Sequence, residues 1–287
     1  MSVPKGSFLA FLARPIIWIF RTVDHFFEFL ILNVHGHFFA QLFNVRAFIN
    51  GRDIRVRYVY EDKVYQADSY GMTRYFYERE QNYYSYKRGF RRRAFLLARQ
   101  YHIDKINFSN GDLIVDCGSN VGDLELYFRF LGIKIQYIAF EPSPKEFLAL
   151  QSNVPSGDLR NQALWSATTE LDFYVSVRNA DSSVIQPPTF ESKCKVGCVR
   201  LDQAVASPIK LLKLEAEGAE PEALFGAEGI LPITHYIAVD CGFERGVNSE
   251  STLPQVCNFL VSRNFEIVAL GRERLTLLFV NKKLVFG

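Results

Sequence analysis

The residues of this chain best suited to chemistry sit in one short run, Asp116-Cys117-Gly118-Ser119-Asn120-Val121-Gly122. Before it, Leu113 to Asp116 form an apolar stretch closed by an acid, preceded by the turn signal Asn110-Gly111-Asp112. That pattern reads as a short buried parallel strand. After it, Leu124, Leu126, Tyr127, Phe130 and Leu131 recur with helical spacing. Strand, glycine turn and helix together make a nucleotide-type site, because glycine lets a ligand approach the backbone and a helix start offers unpaired N–H groups. A dinucleotide fold carries G-x-G-x-x-G at this point, for a pyrophosphate. Here the strand ends in a carboxylate, which repels a pyrophosphate and suits a ligand bearing an ammonium and a sulfonium. S-adenosylmethionine fits that description and NAD does not. The expected cofactor set is Asp116, Cys117, Gly118, Ser119, Asn120 and Gly122. Glu141, 25 residues after Asp116 at the end of a second strand (Gln136–Phe140), is the acid expected to accept from ribose hydroxyls. Gln162 and Ala163 complete the set.

A second group of acids suits the methyl acceptor. Ile209 to Leu214 read as a fourth strand running into Glu215-Ala-Glu217-Gly-Ala-Glu220, and Tyr236 to Asp240 as a fifth. Methyl transfer is an in-line displacement, so alignment is its main requirement, and a hydroxyl acceptor also gains from a general base. Acceptors in a doubly wound fold sit outside the carboxyl ends of the strands, which places Glu215, Glu217 and Asp240 around the reaction. Glu217 is the favoured base, since Gly218 beside it permits close approach. In a rival reading, Glu217 and Glu220 cap the helix beginning at Pro221. A third has the carboxylates holding Mg²⁺, although no spacing demands a metal and none is expected. Lys213 reads as the partner of a neighbouring carboxylate, and His102 and His235 as structural.

Around these residues, strands and helices alternate from Phe108 onward, the pattern of a doubly wound, mostly parallel α/β sheet. Leu159–Ala163 reads as its third strand, with further strands at Leu171–Val175 and Cys198–Leu201 and a helix at Leu253–Arg263. Glu266–Leu270 and Leu275–Val280 read as a closing antiparallel hairpin. The expected division is an N-terminal, largely helical region over residues 1–105 and a catalytic domain over 106–287. Residues 8–49 are intensely apolar, but Arg14, Arg21, Asp24 and Glu28 interrupt them before any uncharged run reaches the ~20 residues that span a bilayer. Recurring charges and the lack of a small-residue cleavage site also argue against a cleavable signal. Ile16, Ile19, Phe20, Val23, Phe26, Phe27 and Leu30 share one helical stripe. The stripe is expected to pack internally, to pair with a second copy in a homo-oligomer, or to rest on a membrane surface. Arg52, Arg55 and Arg57 alternate with Ile54, Val56 and Tyr58 as in a strand. Tyr70, Tyr75, Tyr77, Tyr83, Tyr84 and Tyr86 then lead to the basic run Lys87–Arg93. The blander reading of this segment is a solvated helix face with stacked tyrosines. The sharper one is a cap on the cofactor domain that grips an anionic substrate.

The chain resembles the FkbM family of S-adenosylmethionine-dependent methyltransferases across roughly Asp112 to Phe243. Val115–Gly122, Ala-Phe-Glu-Pro (139–142), Ala-Asp-Ser-Ser-Val (180–184), Arg-Leu-Asp (200–202), Leu212–Glu220 and Leu224-Phe-Gly-Ala227 match in order. Where the family usually carries Asp, this chain has Glu215. The resemblance implies a class I, Rossmann-like seven-stranded sheet and O-methylation of a sugar, glycan or glycolipid hydroxyl. It does not reach residues 1–105.

Composition narrows the alternatives. The 287 residues are 48% hydrophobic and 22% charged with a net charge of +2, ordinary for a globular protein and poorly suited to general polyanion binding. Nucleic-acid methylation, suggested only by the Lys87–Arg93 run, is therefore the weaker enzyme reading, and no nucleic-acid partner is expected. A membrane-associated binding protein that lost the reaction is the non-enzymatic alternative. Five scattered cysteines suit a reducing compartment, so a cytoplasmic location, peripheral at the inner face of the membrane, is expected.

Overall fold

The structure, a computed structural model, describes residues 25–176 and 182–285. Ile16, Ile19, Phe20 and Val23 of the apolar stripe, and the motif residues Ala180 and Asp181, lie outside them. Residues 25–33 are helical, and the chain continues through α1 (Gly36–Ile49) into a meander of β1 (Arg55–Val59), β2 (Val64–Ser69) and β3 (Met72–Phe76). Both strand pairs are antiparallel. The arginine alternation at 52–58 is thus the first strand of a small sheet. Helix α1 lays Phe39, Ala40, Phe43 and Ala47 on this sheet, and Asn44 exchanges two 2.7 Å hydrogen bonds with the Val56 backbone. Its opposite face is apolar too: Phe38, Phe48 and Ile49 are 71%, 75% and 65% exposed. No helix among the described residues is long and apolar enough to cross a membrane.

Two helices follow, α2 (Arg79–Tyr86) and α3 (Phe90–Gln100). Two of the three tyrosines of α2 leave the solvated face: Tyr83 and Tyr86 are fully buried against Phe43, Phe76 and Phe90, while Tyr84 stays exposed.

The rest of the chain alternates strand and helix. It runs β4 (Leu113–Cys117), α4 (Asp123–Leu131), β5 (Gln136–Phe140), α5 (Pro144–Asn153) and β6 (Asp158–Arg160). An excursion follows through β7 (Ala163–Leu164), β8 (Thr169–Val175), β9 (Ser192–Val199) and α6 (Leu201–Ala204). The chain then returns as β10 (Ile209–Leu214), α7 (Glu220–Phe225), β11 (Thr234–Asp240), α8 (Leu253–Ser262), β12 (Phe265–Leu270) and β13 (Thr276–Asn281). The main sheet has seven strands in the order β12-β13-β11-β10-β4-β5-β6, parallel except for β13, which is antiparallel to both neighbours. This is the doubly wound class I methyltransferase sheet, with its C-terminal hairpin in place. Strand order reverses between β4 and β10, and a crevice opens at their carboxyl ends.

Alternation decides which side chains enter that crevice. Val115, Cys117, Leu212 and Leu214 face the core under α7 and α8, whereas Ile114 and Leu211 face the opposite core. Asp116 and Lys213 share the parity of Ile114 and Leu211, which puts them on the side covered by the N-terminal region. That side is one apolar cluster running from Ile31 through Phe43, Tyr86 and Leu97 to Ala238 and Leu278. Thr276 on β13 also donates a 2.6 Å bond to the Gln100 carbonyl.

Two strand expectations are corrected. The segment 159–163 is not one strand: β6 ends at Arg160, Asn161 turns to donate to the Glu141 carbonyl at 2.8 Å, and Ala163–Leu164 joins a separate sheet ordered β7-β9-β8. The strand expected at 198–201 ends at Val199, and Leu201 opens α6 behind a two-bond Arg200–Asp202 pair.

Candidate active site

At the crevice floor, strand register sets Asp116 opposite Lys213. The Lys213 ammonium lies 3.1 Å from Asp116 and 3.0 Å from Glu215 and donates to the Gly118 carbonyl at 2.8 Å. The Tyr137 hydroxyl supplies Asp116 with a second partner at 2.5 Å. Burial raises the Asp116 pKa and Lys213 works against it. The cation facing Asp116 is therefore the protein's own, and Asp116, 1% exposed, lies beneath the cavity rather than in its wall.

Above it sits the glycine turn. Gly118 has φ +68°, and a Cβ there would stand 1.9 Å from the Glu215 carbonyl oxygen. What excludes a side chain at this position is the chain leaving β10, not a ligand. Gly122 packs on Leu150 and Val154 and, with Ser119, stays out of the wall. The Glu141 carboxylate accepts from Asn120 N at 2.7 Å and Ser143 N at 2.8 Å, and burial pushes its pKa up to about 8. Burial also raises the Cys117 thiol and keeps it protonated.

The cavity of about 320 Å³ is walled by Cys117, Gly118, Asn120 and Glu141 on one side and by Gln162, Ala163, Leu164 and Phe173 on another. Its size lies at the lower end of small-molecule sites. Each Glu141 oxygen takes one backbone donor and keeps a lone pair for a ribose hydroxyl, while Phe140, Leu164 and Phe173 offer apolar surface to a purine. These residues fit S-adenosylmethionine.

The acceptor acids separate into different roles. Glu215 is in the wall but bound on both sides, by Lys213 and by Arg274 at 3.1 Å. Burial works to raise its pKa, and the two cations more than offset that and hold it low. Asp240 lies outside the wall, ion-paired with the same Arg274 and donated to by Gly242 N, with burial raising its pKa. Glu217 is in the wall at φ +50°, its carbonyl accepting from the Ser183 hydroxyl at 2.7 Å. A Cβ on Gly218 (φ +94°) would lie 2.6 Å from the Arg245 Cα, so that glycine accommodates the backbone at 245 rather than an acceptor. Glu220 does not cap α7 but braces the turn ahead of it: one oxygen accepts from Ala216 N at 2.8 Å and Gly218 N at 3.2 Å, and burial lifts its pKa to about 7. Among the described residues, no group of three or more His, Cys, Asp or Glu is placed to hold a metal ion.

Another wall is built from outside the glycine-turn unit. Gln81, Tyr84 and Ser85 reach it from α2, and Arg93 and Leu97 from α3. The Arg93 Nε donates to Asp123 at 2.7 Å, and Asp123 also takes Tyr86 Oη at 2.6 Å and Arg74 at 3.3 Å. Arg74 itself donates to the Val121 carbonyl at 2.7 Å, propping the turn from below. The basic run splits up: Lys87 pairs with Glu28 and lies over the Tyr84 ring, Arg91 lies over Phe95, and Arg93 enters the cavity wall. The sequence carries one signal for this, an acid set directly after Gly122, but nothing local names its partners.

The description of the methyltransferase FkbM domain matches residues 116–267, more than half of the chain. No curated protein matches the sequence. Among solved structures, the FkbM methyltransferase of Methylobacillus flagellatus is similar at 19% identity and a TM-score of 0.45, over 61% of this chain and 44% of that one. The chain thus spans less than half of that relative. An S-adenosylmethionine-dependent methyltransferase from Aquifex aeolicus is similar at 10% identity and a TM-score of 0.38, over 64% of this chain and 92% of that one. A protein of the NAD-binding Rossmann superfamily from Streptococcus agalactiae follows at 15% identity and a TM-score of 0.39, over 64% and 68%. With the matched segment beginning at Asp116 in β4 and running through β11 into β12, the chain belongs to the FkbM family of methyltransferases.

Proposed function

We propose that this methyltransferase uses S-adenosylmethionine to methylate a hydroxyl group of a sugar, glycan or glycolipid, with Glu217 as the general base. The cofactor supplies an electrophilic methyl carbon when bound. Glu141 and the Asn120 turn hold its ribose, and the Ala163–Leu164 segment with Phe173 encloses its base. The observation that carries the choice of base is the division of charge among the acids. Glu215 spends its charge on Lys213 and Arg274 and is held low, which makes it a weak proton acceptor, and Asp240 lies outside the wall. Glu217 lies in the wall at a left-handed backbone position, a strain that non-glycine residues tend to keep at functional sites. Ser85 and Tyr84 add hydroxyl and ring surface suited to a polyol.

The acceptor is met at a lipid surface, through the outward face of α1. Phe38, Val45, Phe48 and Ile49 stand exposed there, Phe26 and Phe29 extend the patch on residues 25–33, and the exposed Arg52 and Arg55 offer positive charge to anionic headgroups. The salt bridge from Glu28 to Lys87, 2.6 Å long, ties this patch to Tyr84 at the cavity wall.

Mass spectrometry of glycans and glycolipids from cells with and without the protein tests the reaction. The expected result is loss of one methyl group from a hydroxyl in the deleted strain. Glu217→Gln should keep the affinity for S-adenosylhomocysteine yet fail to restore that methyl group. Full restoration by Glu217→Gln removes Glu217 as base, and a methyl group missing from RNA instead removes the glycan acceptor.

A further inference from the structure

We infer that Arg93, carried on α3 from outside the family-matched segment, is the binding site for a carboxylate, that of the cofactor's amino-acid end. This rests on S-adenosylmethionine as the cofactor. Around Asp123 the charges do not cancel: one carboxylate receives both Arg74 and Arg93, leaving an excess positive charge in a buried setting. A second buried guanidinium without its own counter-ion is costly, and an incoming anion removes that cost. Arg74 is wholly buried and spends its η nitrogens on Asp123, Val121 O and Asn153 O. Among the described residues Arg93 bonds through Nε alone, at 2.7 Å, and its side chain is 25% exposed where it lines the cavity. Its two η nitrogens therefore offer a planar fork to the cavity, the geometry that takes a carboxylate with two hydrogen bonds.

Position selects which carboxylate. Asp123 directly follows Gly122, so the Arg93 guanidinium is anchored at the end of the glycine turn. Glu141 reaches the middle of the same turn through Asn120 N at 2.7 Å. With the ribose on Glu141 and the purine toward Ala163 and Leu164, the amino-acid end extends the other way, toward the turn and Arg93. On the same wall Gln81 holds a buried side-chain oxygen with no partner among the described residues, an acceptor suited to a neighbouring ammonium donor.

The test compares two ligands by calorimetry on the full chain: S-adenosylhomocysteine, and 5′-methylthioadenosine, which keeps the adenosine and thioether but has no carboxylate. Arg93→Gln should weaken S-adenosylhomocysteine by about tenfold to a hundredfold and leave methylthioadenosine within about twofold. Equal losses for both ligands would make Arg93 a structural support, and no loss for either would point its fork at the acceptor; each overturns the inference. Binding of neither ligand by the unaltered protein would instead overturn the cofactor reading beneath it. Should Arg93→Gln not fold, Arg93→Lys keeps the charge beside Asp123 without the fork. It should then show the same selectivity with a loss of about threefold to tenfold, and its absence counts equally against the inference.

Discussion

Replacing Lys213 by Met tests whether Asp116 serves the fold or the ligand directly. The ammonium is 4% exposed and sits between Asp116, 1% exposed, and Glu215, at 3.1 and 3.0 Å. Methionine keeps most of the stem volume and deletes the charge, leaving two buried carboxylates with one cation fewer. Removing one partner of a buried ion pair costs about 3–5 kcal/mol. Unfolding entropy grows by about 2.1 cal/mol/K per residue, so for a chain of 287 residues that loss lowers Tm by about 5–8 °C. The sign of the pH dependence follows from the acids. In the native protein Glu215 is held below its ordinary value, so its contribution is present at neutral pH and fades only as pH falls through the lowered pKa. Without Lys213, burial raises both carboxylates, and the variant loses stability as pH rises through those raised values. The deficit should therefore be widest near pH 8 and narrow toward pH 5, read by differential scanning calorimetry. An unchanged Tm, or a deficit equal at both pH values, would refute the reasoning. Asp116→Asn, whose amide oxygen can still accept from the Lys213 ammonium and whose amide nitrogen can donate to the Tyr137 hydroxyl, should cost less than Lys213→Met.

Three further outcomes are expected. Glu220 has its pKa lifted from 4.5 to about 7, so its stabilising neutral form is fully present below the ordinary value and is lost as pH rises through 7. Glu220→Gln keeps the acceptor for Ala216 N and Gly218 N and should flatten the Tm profile between pH 5 and 8, gaining up to about 3 kcal/mol at the alkaline end; an unchanged profile counts against a buried neutral carboxyl. Ribose hydroxyls favour the ionised form of Glu141, whose pKa stands at about 8 in the free protein, so S-adenosylhomocysteine should bind with proton release and gain affinity from pH 6.5 to 8, at most about tenfold per unit. Glu141→Gln should bind more weakly and without that slope, and a flat profile in the unaltered protein would remove Glu141 from the ribose. Lastly, co-sedimentation with vesicles of phosphatidylcholine and phosphatidylglycerol should fall sharply in Phe48→Asp/Ile49→Asp; equal binding by the variant, or none by the unaltered protein, removes the lipid surface.

The central strands β4, β5, β10 and β11 were legible because each is a short, largely apolar run, as buried parallel strands are, whereas the edge strand β6, Asp-Leu-Arg, carries no such signal. What escaped was pairing at a distance. Ala163–Leu164 reads like any strand end, and only the Asn161 side chain bonding the Glu141 carbonyl shows why the chain leaves the main sheet there. Tyr83 and Tyr86 look like surface tyrosines in a polar helix, and their burial depends on Phe43 and Phe76, which lie elsewhere in the chain. In the glycine turn, the residue types indicated the site but not the reason for them. Gly118 and Gly218 each give way to the protein's own backbone, and no inspection of local sequence reveals which backbone arrives.

The same long-range pairing explains why the active site is larger than the segment that identifies the family. Residues 116–267 contain the turn, Glu141 and the acids after β10, but two cations of the cavity wall come from outside it, Arg93 before and Arg274 after. Each meets an acid within the segment: Arg93 holds Asp123 at the turn, and Arg274 holds Glu215 and Asp240 at the carboxyl ends of β10 and β11. Removing Arg274 takes the cation from the buried Asp240, and removing Arg93 takes one of the two guanidiniums that hold Asp123, so the site's electrostatics depend on both the N-terminal cover and the closing hairpin. The Thr276–Gln100 bond joins those two pieces directly. A chemically plain glycine-turn unit is thereby completed by the parts of the chain that the family pattern does not describe, and those parts supply a wall of the same cavity.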